Sequence, residues 1–141
     1  MLSLTTFFSA ILLGSMVFFA GVAAPAIHRS LEPAHAQTVT RSLFPRYFLW
    51  GAITSALALI FAVLSKSTLA IPLAVVLAGF LYSRQILMPQ VTKAKDLWMA
   101  SDSAQDKARY KSLHKRSVII NGAQILLLLA VVIANQFFYP H

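Results

Sequence analysis

The residues best suited to chemistry lie in segment 111–124, where a basic stretch continues without a helix-breaking residue into an apolar one. His114, Ser117, Asn121 and Gln124 follow one another there at steps of three, four and three. In a helix these steps place the four side chains on one face. Because amides in lipid need hydrogen-bond partners, this face is predicted to turn toward other helices.

A second group of polar residues is predicted to meet this face at one end of a helical bundle. Its members carry guanidinium, amide, phenol and imidazole groups: Arg84, Gln85, Tyr47, Arg46 and His28. Together the two groups form a candidate site for a carboxylate, a phosphate head group or a porphyrin propionate, because Arg binds such anions through paired hydrogen bonds. The alternative is that these polar groups only join helices, through hydrogen bonds of about 0.6 kcal/mol each.

Composition places the chain in the membrane. Hydrophobic residues make up 58% of the 141 residues and charged residues only 11%, against about 25% charged in soluble domains. The absence of cysteine excludes disulfides, thiol catalysis and iron–sulfur ligation. The net charge is +8, but the bases lie beside apolar runs. Anionic lipid head groups are therefore the expected partners, and nucleic acid is not.

The apolar runs predict an all-α integral membrane protein, a bundle of four transmembrane helices in a single membrane domain, 1–141. The spans are predicted at about 4–27, 46–64, 69–88 and 117–138, and the first would be roughly 36 Å long. Its competing interpretation is a signal peptide, although residues 1–6 contain no Lys or Arg. A short amphipathic helix at about 33–44 is expected along the membrane surface, and segment 89–116 is expected to form a cytoplasmic hairpin that extends the third and fourth helices.

Local patterns refine this picture. Ser103 followed by Asp106 resembles a capping box, which predicts a helix start there. Small residues line one side of two spans: Ala10, Gly14, Gly21 and Ala24 in the first, and Gly51, Ser55, Ala58 and Ala62 in the second. Such faces allow close helix contact, within the bundle or in a homodimer or larger membrane complex.

The distribution of bases predicts the orientation. Every Lys and Arg except Lys66 falls at the end of the bundle that holds the first and third connections. The positive-inside rule then places this end in the cytoplasm and both termini in the periplasm, for a protein of the bacterial inner membrane.

Four short motifs carry a resemblance to a known family. They are Gly14 to Pro25, Leu43-Phe44-Pro45-x-Tyr47-Phe48, Pro89 followed by Thr92 and Trp98, and Leu113-His114-x-x-Ser117-x-x-x-Asn121. Together they resemble the transmembrane protein 205-like family, which implies a small multi-span protein of uncharacterised function. The architecture is more distantly similar to HemJ-type protoporphyrinogen oxidases and copper-resistance D proteins, which place a histidine early in the first span. This chain has no histidine in residues 1–27.

Three functions are consistent with these patterns. The first is binding or carrying an amphipathic or anionic small molecule at the cytoplasmic leaflet. The alternatives are a haem-binding redox protein and a structural subunit of a membrane complex. No catalytic residue or metal site is predicted, because the predicted spans contain no Asp or Glu and the chain has no nucleotide-binding loop and no Ser-His-Asp pattern.

Overall fold

The computed structural model describes residues 2–137, which form four long helices. Two of them contain a single π-helical turn. Helix α1 comprises Leu2–Phe18, the π turn Phe19–Ala23 and Ala24–Ser30; α2 is Pro33–Leu64; α3 comprises Ala70–Tyr82, the π turn Ser83–Leu87 and Met88–Ser101; α4 is Ala104–Phe137. No strand occurs in this range, so the predicted all-α class is confirmed.

Each of the four helices is long and apolar enough to cross a membrane. The chain is therefore an all-α, multi-pass membrane protein with a four-helix bundle. The predicted helical extensions are also present, because α3 continues to Ser101 and α4 begins at Ala104. Residue 138, the predicted end of the last span, lies outside the described residues.

The start of α2 differs from the sequence prediction. Segment 33–44 is not a separate surface helix, because α2 runs without interruption from Pro33 through Pro45 to Leu64. Proline removes one backbone donor from a helix but does not have to end it. Ala36 is buried in the first turns of α2, so tertiary packing holds this segment in line with the rest of the helix.

The helices pack in a ring in which each contacts its two neighbours and α4 returns to α1. The core is centred on the rings and aliphatic side chains of Phe48, Leu73, Val76, Phe80 and Leu128. The small-residue face of α2 is buried as predicted. It lets α2 and α3 approach closely, most of all where Gly51 faces the ring of Phe80.

The small-residue face of α1 lies outside this core. A Cβ atom added to Gly14 or Gly21 would meet no neighbouring atom within 4 Å. The side of α1 that packs instead carries Thr5, Ser9, Leu12 and Met16. A contact between the small-residue face and a second copy of the chain stays a prediction.

The connection between α3 and α4 is a tight reversal. Asp102 adopts a left-handed conformation, with φ at 52°, and its N–H donates to the carbonyl of Trp98 at 2.7 Å. Short polar residues such as Asp tolerate this conformation better than most. Ser103 then caps α4, since its Oγ accepts from the N–H of Asp106 at 3.1 Å. The predicted helix start is confirmed, although the Asp106 carboxylate accepts from Ser101 Oγ.

Candidate functional site

The polar face predicted on α4 divides into two parts. Its deeper part joins helices: Tyr47 Oη donates to Asn121 Oδ1 at 3.0 Å, and Gln124 Nε2 donates to the carbonyl of Val76 at 2.9 Å. Gln124 is only 4% exposed. These two hydrogen bonds connect α4 to α2 and to α3. In this deeper part, the polar side chains therefore join helices, which is the alternative to a ligand site.

Three other candidate residues also lie away from a common site. Arg84 Nε donates to the carbonyl of Pro45 at 3.3 Å and so joins α3 to α2. Arg46 and Gln85 are exposed. None of these three residues lines the cavity described below. Tyr47, Asn121 and Gln124 do not line it either.

A cavity of about 290 Å³ lies at the charged end of the bundle, which we define as residues 28–46 and 84–117. The end of α1, the first turns of α2, the part of α3 after its π turn and the start of α4 all contribute to it. Among the predicted site residues, His28, His114 and Ser117 line it. The shallower part of the α4 polar face therefore lines the same cavity as a residue from α1.

Both apolar and polar residues line the cavity. The apolar ones are Pro33, Ala36, Phe44, Pro45, Met88 and Val91. The polar ones include residues that the sequence prediction missed: Gln37, Thr40, Arg41, Thr92, Lys95 and Tyr110. No carboxylate lines the cavity within the described part of the chain. The polar lining residues therefore offer cations and hydrogen-bond donors, with no acidic side chain among them to repel an anion.

The two cations of the cavity have different surroundings. Arg41 forms an ion pair with Asp96, which joins the first turns of α2 to α3 at the surface. Lys95 has no carboxylate partner among residues 2–137. Its Nζ instead lies 4.6 Å from the ring centroid of Trp98 and 4.7 Å from that of Tyr110. The Tyr110 ring in turn stacks on His114, with 5.8 Å between centroids.

The missed residues left only a weak signal in the sequence. Lys95 and Trp98 are three apart, which is one turn of a helix, but this spacing is common on solvated faces. Their contact with Tyr110 depends on the reversal at Asp102, which brings α3 and α4 side by side. Periodicity describes one helix at a time and does not give the register between two helices.

The family of this chain is shown by a family model that matches most of its length. The family model described as "Domain of unknown function (DUF4149)" matches residues 7–98. The chain belongs to the DUF4149 family. The matched region of this DUF4149 chain covers α2 completely, most of α1, and α3 as far as Trp98. No curated protein and no solved structure matches the chain. The cavity-lining residues of α1, α2 and α3 thus lie within the family match, whereas those of α4 lie beyond it.

The contact between Gln124 and Gly79 provides a test of packing in this DUF4149 chain. A Cβ atom on Gly79 would lie 2.6 Å from Gln124 Nε2. We therefore expect Gly79→Ala to displace the Gln124 amide and to lower the free energy of unfolding by about 1 kcal/mol. In a Gln124→Ala background the same substitution should cost much less, because the displaced atoms are gone. Thermal unfolding of the four proteins in detergent measures this coupling, and additive effects would contradict the contact.

Proposed function

We propose that this membrane protein binds a small amphipathic anion in the cavity at the charged end. The observation that carries the proposal is the mixed lining of the cavity. Phe44, Met88 and Val91 supply apolar surface, Lys95 and the two histidines supply cationic or donor groups, and no described carboxylate lines the cavity. A ligand with a carboxylate or phosphate and a short apolar portion matches both kinds of lining residue.

The volume of the cavity limits the ligand. About 290 Å³ is near the lower end of the roughly 300–1,000 Å³ found for small-molecule sites. This size supports a small metabolite, or the head group and first carbons of a larger lipid. The haem alternative draws on one observation, which is that His28 and His114 line the same cavity. A colourless preparation after expression with haem supplied would speak against it.

The proposed location of the site follows from the charges. The exposed bases on the charged end include Lys93, Lys107, Arg109, Lys111 and Lys115. Anionic lipids attract such residues at the cytoplasmic leaflet of a bacterial inner membrane. We therefore infer that the cavity opens near this leaflet, with both chain ends on the periplasmic side. The resemblance to the transmembrane protein 205-like family stays a prediction.

The test uses decanoate as the probe and decanol as its uncharged counterpart. Isothermal titration of the purified full chain in nanodiscs should show tighter binding of decanoate. Replacing both cavity histidines, His28→Ala with His114→Ala, should weaken decanoate binding about tenfold or more, as expected when hydrogen bonds to a charged group are lost. Equal affinities for decanoate and decanol would reject the proposal.

His35 provides the matched control for this experiment. It is exposed and directly precedes the cavity-lining residue Ala36 in the sequence, but it does not line the cavity. His35→Ala should leave decanoate affinity within about twofold of the wild type, because exposed substitutions rarely exceed 0.5 kcal/mol. An equal loss in the control and in the double variant would show that decanoate binds the charged surface and not the cavity.

A further inference from the structure

Lys95 is held on the cavity wall by two aromatic rings. Trp98 comes from the same helix, one turn later, and Tyr110 comes from α4. The two rings also contact each other, with centroids 5.6 Å apart and an angle of 26° between their planes. Lys107 lies 5.7 Å from the Trp98 ring centroid. The side chain of Lys95 therefore has a defined direction, although lysine is normally among the most mobile residues.

We propose that Lys95 binds the anionic group of the ligand and that Trp98 is a positioning residue for Lys95. This inference rests on the proposed function and names the residue that gives the site its preference for anions. Lys95 lines the cavity, whereas Trp98 and Lys107 do not. Trp98 can therefore affect the ligand only through the cavity-lining residues that its ring contacts, which are Lys95 and Tyr110.

The chemistry of the two cavity cations supports Lys95 over Arg41. The Arg41 guanidinium already has a carboxylate partner in Asp96. An ammonium group has three N–H donors. The ring faces of Trp98 and Tyr110 stabilise its positive charge, but they provide no oxygen acceptor for these donors. The donors of Lys95 therefore remain available to an oxygen anion. Holding the lysine in place beforehand also removes part of the entropy cost of binding.

The Lys95 ammonium group can bind either a carboxylate or a phosphate, because lysine acts as a compact charge and lacks the planar, two-pronged geometry of arginine. Decanoate and decyl phosphate are the two probes that distinguish these head groups. If Lys95 binds the anion, Lys95→Gln should weaken binding of the preferred probe about tenfold or more. The affinity of the variant should also lose most of its dependence on salt concentration, while decanol binding stays unchanged.

Trp98 is tested by comparing two substitutions. Trp98→Leu removes the ring and should weaken anion binding about threefold to fivefold, the range expected for one partly exposed cation–π contact. Trp98→Phe keeps a ring face beside Lys95 and should restore binding to within about twofold of the wild type. Lys107→Gln is the control, because Lys107 touches the same ring without lining the cavity. It should leave affinity unchanged.

The outcomes separate this inference from the proposed function. Unchanged anion affinity in Lys95→Gln, together with a loss in the double histidine variant, would overturn the role of Lys95 and leave the cavity as the binding site. Equal losses in Trp98→Leu and Trp98→Phe would overturn the positioning role. If the wild-type chain binds neither anion more tightly than decanol, both proposals fail. Circular dichroism and unchanged decanol affinity establish that each variant is folded.

Discussion

Replacing Gly51 with valine is expected to destabilise the bundle more than any other single substitution proposed here. A Cβ atom at Gly51 would lie 2.5 Å from both Cδ1 and Cζ of Phe80. Phe80 is fully buried, at 0% exposure, and is packed in the core beside Val76 and Phe48. Its ring therefore has no free space to move into, and α2 and α3 would have to separate. Overpacked cores typically lose 1–3 kcal/mol and sometimes more, so we expect a loss of about 3 kcal/mol or more.

Gly14→Val is the matched control for this prediction. Gly14 is also a helical glycine in an apolar span, but a Cβ there would meet nothing within 4 Å. Thermal unfolding in detergent, followed by circular dichroism, should show a large decrease in midpoint for Gly51→Val and little change for Gly14→Val. Adding Phe80→Leu to Gly51→Val should recover part of the loss, because it removes the ring atoms that clash. Equal midpoints for the two glycine variants would contradict the close approach of α2 and α3.

The second large effect is an all-or-none difference in chemical labelling. The chain contains no cysteine, so a single introduced cysteine reports one position without background. Thr68 lies in the short connection between α2 and α3, and Gln105 lies in the first turn of α4; both are exposed. The orientation proposed from the positive-inside rule predicts that Thr68 lies in the periplasm and Gln105 in the cytoplasm.

A membrane-impermeant maleimide should therefore label Thr68→Cys in intact spheroplasts and Gln105→Cys only after lysis. The wild-type chain serves as the unlabelled control in both preparations. Labelling of Gln105→Cys before lysis, with Thr68→Cys protected, would reverse the proposed orientation. The cavity would then face the periplasmic leaflet, but its ability to bind an anion would still be decided by the titration experiments.

The fold was predictable because it follows from strong local signals. Apolar runs long enough to cross a membrane can satisfy their backbone groups only as helices or closed barrels, and these runs lack the alternation of barrel strands. The start of α4 was predictable for a similar reason, since Ser103 and Asp106 form their capping contact within one turn. The error at 33–44 came from giving Pro45 too much weight, when packing at Ala36 keeps α2 continuous.

The candidate site was only partly predictable. The spacing of His114, Ser117, Asn121 and Gln124 correctly placed them on one side of a helix, but their depth decides their partners. His114 and Ser117 reach the cavity, whereas the two amides lie deeper and bond to Tyr47 and Val76. Lys95 and Tyr110 were missed because they meet across two helices, and no pattern within one helix contains that contact.

The π turns in α1 and α3 have a consequence for how the length of this chain can vary. Both turns precede the cavity, at Phe19–Ala23 before His28 and at Ser83–Leu87 before Lys95. A π turn accommodates one residue beyond an α turn, and each residue of an α-helix turns the following side chains by about 100°. Deleting one residue from Ser83–Leu87 would therefore convert the π turn into an α turn and leave Lys95 on the cavity side, whereas deleting one residue from the α-helical part Ala70–Tyr82 would rotate Lys95 by about 100°. The π turns are thus the positions at which these two helices can lose one residue without changing the direction of the cavity side chains beyond them.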